Sequence, residues 1–549
     1  MHRQCHHRLV AVATAGAARA QQQLPLQGVA RAMSTIASAD KRPIKAQREQ
    51  TFAKLGLQPY PRYTPSPPDH PMSSPAQIHT QWADQLEAGV KRPDLQLSVQ
   101  GRIRSRREAS KKLFFYDIEQ GGRTIQVVVS QQRVVGCDSD EFLSHNRALL
   151  SGDIIRAFGH LGKTNTGEIS VFATQRLELL APCLHTVPSR SGLVDTQKRF
   201  RNRYLDLLVN GSNALQVRAR ALRYIREFLE ARKFVEVETP ILSPNVGGAS
   251  ARPFVTQSAA AFGDTPLFLR VAPELYLKQL VIGGMDRVYE LGRQFRNEGI
   301  DADHNPEFTT CEFYMAYATL DDLIAATEDM LRGMVQEIND SPVVIAVGSA
   351  TDHEVVGIDF GSPFARIDVT EALHSSLPEL KAIDINDPCA MPQLAAVLAA
   401  RQITCPLPHT MPRLLDRLIG HYIEPLCTQP TFLLNHPAIM SPLAKSNDAA
   451  NTTAARFELF VNGKEIVNAY EELNDPREQR QRFTLQAADR EAGDVEVPPF
   501  DNEFCDALEF ALPPTAGWGM GVDRVVALLA GVRHLRETIA FPIMRPDAK

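Results

Sequence analysis

The sequence predicts an α+β protein with two folded domains, a small β-barrel followed by a larger domain of mixed helices and strands. Three observations predict it. The chain has 549 residues, too many for one hydrophobic core. Residues 95–181 carry short alternating segments separated by glycine turns. Residues 213–549 alternate helical periods with strands, which favours one large α+β domain.

The N-terminal residues have the composition of an organellar transit peptide. Residues 1–39 contain no Asp or Glu but carry Arg3, Arg8, Arg19 and Arg31 among many alanines. Arg31 suits cleavage before Ser34, so residues 1–33 are the predicted leader. Sparse serine favours a mitochondrial matrix address over a plastid one. A merely disordered N-terminus is the alternative.

Residues 34–94 are predicted to be a linker with short helices. Seven prolines between residues 59 and 75 exclude a regular helix or an internal strand there. Short helices are expected around residues 47–55 and 76–90. Residues 182–212 resemble a hinge, with Pro182, Pro188 and a basic segment that begins at Lys198.

The barrel prediction depends on five short segments between residues 95 and 181. They lie at residues 97–103, 113–118, 124–129, 153–159 and 168–173, and Gly121 and Gly122 form one turn. Short strands with glycine turns and little helix are typical of an OB-type barrel. A generic all-β module remains the alternative.

The large domain begins with a predicted helix and strand. Residues 217–233 have apolar positions at helical spacing, and residues 234–239 then read as a strand that ends at Pro240. Another helix is expected over residues 320–338, an irregular insertion over 340–362, and mostly helix over 363–430.

Composition excludes several classes of protein. The formal charge of −5 gives no global attraction to nucleic acid, so any RNA must bind a local basic face. The eight cysteines form no C-x-x-C pair, which argues against a zinc site or a disulfide framework. No apolar run reaches the roughly 20 residues that a membrane span needs.

A nucleotide site is predicted where two strands meet between residues 287 and 317. The loop carries Arg296 and His304, which can hold phosphates, with Glu298 and Phe308, which can hold a purine. It has no glycine-rich turn into a helix, so it is not a P-loop.

A second polyphosphate contact is predicted near the C-terminus. Gly517, Gly519 and Gly521 alternate in a strand without bulk, so a ligand or a neighbouring backbone can come close. Arg524 follows at the start of an apolar helix, where it can grip a polyphosphate from the side opposite Arg296.

The motifs resemble those of class II aminoacyl-tRNA synthetases. Residues 287–317 resemble motif 2 and contain short sequence segments typical of the lysyl-tRNA synthetases. Residues 517–529 resemble motif 3. Residues 217–240 resemble motif 1, which in the family builds a dimer interface. The resemblance implies an antiparallel-sheet catalytic domain flanked by helices, preceded by an anticodon-binding OB domain. It also implies ATP, lysine and Mg²⁺ as ligands, with tRNA(Lys) and a second copy of the chain as partners.

The resemblance assigns roles residue by residue. ATP would be held by Arg296, Glu298, His304, Phe308 and Arg524, of which Arg296 and Arg524 stabilise the reacting phosphates. The residues implied for lysine are Gly248, Glu274, Glu312, Tyr314, Asn468 and Glu472. Glu458 and Glu465 would hold Mg²⁺. Phe114, Gln126 and Glu168 would read the anticodon, although a core position is an equal alternative for Phe114. Trp518 stands where the family commonly has an aliphatic residue.

Three other functions stay open. An aspartyl- or asparaginyl-tRNA synthetase shares the architecture but needs a cationic or amide pocket where this chain has Glu472. A paralogue that transfers lysine to a protein would lack the barrel. A non-catalytic tRNA-binding protein predicts loss of Arg296, Arg524 or the two metal-binding glutamates, and all four residues are present.

Overall fold

A computed structural model describes residues 42–188, 192–348, 355–447, 450 and 452–546. The predicted leader lies outside the described residues. The chain divides into two compact units, Met1–Gly192 and Leu193–Lys549, and each is described by itself. Among the described residues, no helix is long and apolar enough to cross a membrane.

The first unit is a closed barrel preceded by two helices. The helices are α1 (Arg42–Lys54) and α2 (Pro75–Trp82), close to the two predicted positions. The strands are β1 (Lys91–Ser110), β2 (Leu113–Gln120), β3 (Arg123–Ser130), β4 (Ile154–Lys163), β5 (Ile169–Ala173) and β6 (Glu178–Ala181). The order is β1-β2-β3-β5-β4-β6, and β1 also pairs with β4, which closes the barrel. The five predicted strands are confirmed.

One barrel helix escaped prediction. Helix α3 (Ser139–Ala148) begins after Asp138, whose carboxylate accepts hydrogen bonds from the backbone N–H groups of Asp140 and Glu141. Its Phe142 packs into the barrel core. The segment has only one large buried apolar side chain, so its helical period is weak in the sequence.

The second unit opens with helices α4 (Thr196–Arg201), α5 (Arg203–Asn210) and α6 (Asn213–Ala231). Arg203 is buried and donates to the backbone carbonyl oxygen of Glu537, 2.7 Å away. The strand predicted at residues 234–239 is only a two-residue strand, β7 (Val235–Glu236), which pairs in parallel with Val288 and Tyr289. Short elements follow: β8 (Leu242–Ser243), β9 (Val255–Gln257), α7 (Ala259–Phe262) and β10 (Pro266–Leu269).

An eight-stranded sheet forms the centre of the second unit. Besides β7, its strands are β11 (Arg287–Phe295), β12 (Glu307–Ala316), β15 (Ala365–Asp368), β16 (Thr431–Leu434), β17 (Arg456–Val461), β18 (Lys464–Glu471) and β19 (Thr515–Gly521). The strand order is β15-β16-β17-β18-β19-β12-β11-β7, antiparallel except at the two edges. The antiparallel prediction is therefore correct for the centre, and the whole sheet is mixed.

Helices cover the sheet. They are α8 (Glu274–Ile282), α9 (Leu320–Asn339), α10 (Val369–Ser376), α11 (Met391–Ala400), α12 (Met411–Tyr422), α13 (Pro476–Glu491), α14 (Asn502–Leu508) and α15 (Val522–Leu529). Helices α6, α9 and α15 share the main core with one face of the sheet. The other face is therefore left to carry the site.

The described parts of the segment 340–362 are not irregular, contrary to the prediction. It contains the antiparallel strands β13 (Val343–Val347) and β14 (Val355–Asp359). Val344 and Ile358 are fully buried and pack into the main core. The sequence misleads because glycine, serine and acidic residues outnumber the few apolar positions that face inward.

Candidate active site

Three neighbouring strands form the floor of the candidate site. On β19, Gly519 lies between Glu312 of β12 and Asn468 of β18, and Gly517 lies between Tyr314 and Tyr470. Because paired residues of antiparallel strands point to the same face, the glycines leave a trough between two rows of polar side chains. A cavity of about 1020 Å³ opens over this floor.

Gly517 permits a close approach that no other residue would allow. A Cβ built there would overlap Oε1 of Glu472 and lie 2.6 Å from Cε1 of Tyr314. Trp518 points to the opposite face, where it is buried, stacks on Phe313 and donates from Nε1 to Oγ1 of Thr327 at 2.8 Å. The indole therefore lies in the core behind the trough.

Three carboxylates surround the deep end of the trough. Glu274 and Glu472 are buried, and Glu312 is half-buried at the cavity wall. Burial, followed by the charge of Glu274, raises the pKa of Glu312 to about 8. Burial also raises the pKa of Glu472, although Lys278 opposes that shift. Oε1 of Glu472 is buried without a hydrogen-bond partner, so this end of the site needs cationic ligands.

The remaining residues predicted for lysine lie at the same end. Tyr314 is buried, with its hydroxyl 3.5 Å from Oε2 of Glu312. Asn468 accepts through Oδ1 from Nε of Arg456 at 3.0 Å. Gly248 has a φ of +85°, and a Cβ there would lie 3.0 Å from Cβ of Glu274. The geometry thus brings five of the six residues predicted for lysine to the wall of one cavity. The sixth, Glu472, is buried against Gly517, which lines that cavity.

The loop between β11 and β12 carries the residues predicted for ATP. The guanidinium carbon of Arg296 lies 5.1 Å from the ring centroid of Phe308. His304 is exposed, and its Nδ1 lies 3.0 Å from the carboxylate of Asp301, which leaves Nε2 toward solvent. Glu298 is exposed. All four predicted residues line the cavity.

The loop is held by contacts from two other segments. Lys464 forms an ion pair with Asp303. Arg545 donates to the backbone carbonyl of Ile300 at 3.2 Å. The loop is therefore fixed at both its middle and its tip, although its functional side chains stay accessible.

Arg524 and the two predicted metal-binding glutamates occupy the other end of the trough. Nη1 of Arg524 donates to the backbone carbonyl of Glu465 at 2.8 Å and lies 3.4 Å from its Oε2. Glu458 contacts Arg456 and lies 3.2 Å from Nε2 of His436. Burial raises the pKa of Glu458, but Arg456 and His436 outweigh it and lower the value to about 2.

The carboxylates of Glu458 and Glu465 fit a divalent cation whose coordination shell is completed by other ligands. Burial and the charge of Glu458 raise the pKa of Glu465, a repulsion that a cation would relieve. Carboxylate oxygens are the donors that Mg²⁺ prefers. No cluster of three or more metal-ligating side chains occurs in the described residues, so phosphate and water oxygens must supply the remaining ligands.

The barrel corrects one predicted site residue. Phe114 is fully buried in the barrel core against Phe142, so it cannot stack with a base. Its neighbour Phe115 lies on the opposite face of β2, with the guanidinium carbon of Arg107 4.5 Å from the ring centroid. Successive side chains of a strand point to opposite faces, so a shift of one position decides which of the two rings is buried in the core.

The other two residues predicted for the anticodon remain accessible. Gln126 of β3 lies opposite Asp117 of β2. Its Oε1 accepts a hydrogen bond from Oγ of Ser170 at 3.1 Å. Glu168 is exposed just before β5. Phe115 is paired across the strands with Val128, so its ring lies on the same face as Gln126.

Sequence reasoning missed four residues of the site. Lys278, Tyr470, Arg456 and His436 all contact a predicted side chain. Tyr470 could have been found, because it lies between Asn468 and Glu472 at strand spacing and must share their face. Lys278 had a weaker signal, its helical spacing of four from Glu274. No local pattern marks His436.

The arrangement has complementary ends. Arginines at the open end suit a polyphosphate, and carboxylates at the deep end suit a small molecule with ammonium groups. Between them, the glycine strand leaves room for the two ligands to meet. This is the geometry needed to join a carboxylate to a nucleotide phosphate.

Comparison with known families agrees with this geometry. Residues 195–545 match the family described as tRNA synthetases class II (D, K and N). Residues 97–180 match an OB-fold nucleic acid binding domain.

Several curated relatives are similar over most of their length. A lysine–tRNA ligase of Cladosporium cladosporioides is 43% identical over 84% of this chain and 78% of the relative. A probable cytoplasmic lysine–tRNA ligase of Encephalitozoon cuniculi is 44% identical over 81% and 87%. A mitochondrial lysine–tRNA ligase of Schizosaccharomyces pombe is 40% identical over 91% and 93%.

Proposed function

We propose how the cavity of this chain performs the lysine–tRNA ligase reaction, since the chain belongs to the class II tRNA synthetases and among them to the lysine–tRNA ligases. Lysine is activated with ATP and then transferred to the 3′ end of tRNA. The observation that carries the assignment of the pocket is Glu472. Its buried Oε1 lacks a hydrogen-bond partner and lies against Gly517, which lines the cavity.

Glu472 recognises the ε-ammonium of lysine, and Glu274 recognises the α-ammonium. Asn468, Glu312 and Tyr314 line the path between them, and Gly248 leaves room beside Glu274. A neutral or anionic amino acid would leave Glu472 buried and unpaired, at a cost of several kcal/mol.

ATP occupies the open end. Phe308 stacks on the adenine and Glu298 accepts from its amino group. Arg296 contacts both the α-phosphate and the lysine carboxylate, and His304 and Arg524 hold the outer phosphates. Each charge-assisted hydrogen bond of this kind is worth roughly 1.5–3 kcal/mol.

Glu458 and Glu465 would hold Mg²⁺ together with the phosphate oxygens. The cation, when bound, neutralises charge that develops on the pyrophosphate. Arg524 lies 3.4 Å from Glu465, so the phosphate grip and the metal-binding carboxylate are adjacent.

The chemical step needs positioning more than a side-chain base. An oxygen of the lysine carboxylate attacks the α-phosphorus, a new O–P bond forms, and the P–O bond to the leaving pyrophosphate breaks. The nucleophile is already ionised, so no proton has to be removed. Arg296 stabilises the charge on the five-coordinate phosphorus, and this contribution accelerates the reaction only if it strengthens in the transition state.

ATP–pyrophosphate exchange with each of the twenty amino acids tests this proposal. We expect exchange with lysine alone, and its loss in Glu472→Gln, which keeps the size of the side chain but removes the charge. Exchange with aspartate or asparagine would refute the pocket assignment. Unchanged lysine exchange in Glu472→Gln would also refute it.

The barrel binds tRNA through its OB fold, and we propose that Phe115, Gln126 and Glu168 contact anticodon bases of tRNA(Lys). Phe115 takes the role first assigned to Phe114, because it lies on the accessible face with Gln126. Aromatic stacking with a base is worth roughly 1–3 kcal/mol.

We further propose a homodimer through the surface around β7–β10. Large apolar side chains are exposed there: Val235, Ile241, Leu242, Val255 and Phe262. Such a patch is typical of an interface. Light scattering should give twice the mass of the chain, and Leu242→Arg should give the monomer mass.

The acid-free N-terminus with its four arginines supports a mitochondrial matrix address, which is also a proposal. Relatives are known from both the cytoplasm and the mitochondrion. A fusion of residues 1–39 to a fluorescent protein should accumulate in mitochondria, and cytosolic fluorescence would contradict this address.

A further inference from the structure

Lys278 has an ammonium group that is buried between two carboxylates of the proposed lysine site. It lies on α8, one helical turn after Glu274, and its side chain has no exposed surface. Its Nζ lies 2.6 Å from Oε1 of Glu274 and contacts Oε2 of Glu472. The rings of Tyr470 and Phe504 are each 5.7 Å away.

Lys278 remains charged in this position. Burial lowers the pKa of its ammonium, but attraction by Glu274 and Glu472 outweighs burial and raises the pKa above its usual value. A buried ion pair is on its own a weak source of stability, because desolvation offsets the attraction. The group therefore calls for an explanation beyond folding.

The contacts of Lys278 divide the oxygens of the two carboxylates. Oε1 of Glu274 takes Lys278 and also the hydroxyl of Tyr470, which donates at 2.7 Å. Oε2 of Glu472 takes Lys278, whereas its Oε1 has no partner. One oxygen of each carboxylate is thus committed to the protein, and the other is left for a ligand.

The arrangement suits a ligand with two ammonium groups. Glu274 and Glu472 each have an oxygen that Lys278 does not contact, and Glu312 lines the neighbouring cavity. Arg296 also lines that cavity and is available for the carboxylate of the ligand.

We propose that Lys278 is a positioning residue for lysine recognition, whose ammonium bridges Glu274 and Glu472, favours the ionised form of both and directs their free oxygens toward the substrate. The proposal rests on the lysine pocket proposed above. It adds an internal cation that sets the charge of that pocket before the substrate arrives.

Several charged or titratable groups face this pair. From α8 comes Glu274, from β12 come Glu312 and Tyr314, and the end of β18 supplies Tyr470 and Glu472. Arg456 and Arg296 act from further away. Removal of Lys278 leaves the three neighbouring carboxylates to repel one another, so their pKa values must rise and a larger fraction is protonated at neutral pH.

The test measures KM for lysine and for ATP between pH 6 and pH 9 in Lys278→Met. We expect KM for lysine to rise at least about tenfold at pH 7, since each unit of rising pKa removes tenfold of the ionised form. The defect should shrink as pH rises and re-ionises the carboxylates, and KM for ATP should stay unchanged. A rise in KM that is the same at every pH would mean a merely structural role and would overturn the proposal, as would an unchanged KM.

Two further variants make the result decisive. Lys278→Arg keeps the positive charge and should keep the wild-type pH profile even if its bulk raises KM. A pH profile of Lys278→Arg that is shifted from that of wild type would overturn the proposal, and this comparison does not require that Lys278→Met folds. Gln279→Met, the exposed neighbour on α8, is the matched control and should behave as wild type. If Glu472→Gln abolishes lysine exchange while Lys278→Met behaves as wild type, the pocket stands and only this inference fails.

Discussion

Replacing Gly517 with alanine tests whether the glycine strand shapes the lysine pocket. The added Cβ would overlap Oε1 of Glu472 and lie 2.6 Å and 3.0 Å from Cε1 and Cδ1 of Tyr314. The aromatic ring belongs to a buried residue and cannot retreat easily. The carboxylate of Glu472 therefore has to move.

The size of the effect follows from that displacement. Oε1 must withdraw by about 1.4 Å to reach an ordinary contact distance. A displacement of about 1 Å at a positioned group can cost roughly 100-fold in rate. The overpacking itself should lower the free energy of unfolding by about 1–3 kcal/mol.

Pyrophosphate exchange at varied lysine and ATP concentrations measures the effect. We expect kcat/KM for lysine to fall about 100-fold in Gly517→Ala, with little change in KM for ATP. Gly521→Ala is the control on the same strand, because its Cβ would meet only the Arg524 side chain at 3.7 Å or more. It should change KM for lysine by less than about twofold. Equal losses in both variants, or normal lysine use by Gly517→Ala, would refute the reasoning.

Three other predictions concern pH, the core and the barrel. The folded-state pKa of Glu312, about 8, lies above its ordinary 4.5, so the folded protein binds a proton that the unfolded chain releases. In the absence of lysine, the unfolding temperature of the wild type should therefore fall relative to that of Glu312→Gln as pH rises from 4.5 to about 8. A difference between the two unfolding temperatures that is constant over this range would contradict the raised pKa of Glu312. Trp518→Phe should lower the free energy of unfolding by about 1–3 kcal/mol in urea with normal kinetics, because it removes the hydrogen bond to Thr327; reduced kcat would contradict its place behind the trough. Phe114→Ala should destabilise the barrel by about 3–5 kcal/mol, whereas Phe115→Ala should keep its stability and weaken tRNA binding; the reverse outcome would restore the original assignment.

The sequence was most informative where function constrains a local pattern. Alternate glycines at Gly517, Gly519 and Gly521 predicted a strand that other groups approach closely, and the strand is present. The loop between β11 and β12 was predicted with its polar residues because both flanking strands alternate clearly. The barrel strands were found for the same reason.

Prediction failed where neighbouring positions have similar chemistry. Phe114 and Phe115 are both phenylalanine, so composition cannot show which ring enters the barrel core. The strands β13 and β14 were missed because their buried residues, Val344 and Ile358, pack into the main core, whose other members come from many parts of the second unit. His436 gave no local signal, since it reaches Glu458 only when β16 and β17 pair.

The sequence by itself determined the strand and helix periods, the glycine trough and the identities of the charged groups. Those properties depend on spacing along the chain. Only the tertiary structure decided which charges meet. It placed the ammonium of Lys278 between Glu274 and Glu472, and it left one oxygen of Glu472 without a partner. The physical reason is that the effect of a charge depends on its burial and on its distance from other charges. In this pocket, residues almost two hundred positions apart in the chain set both quantities.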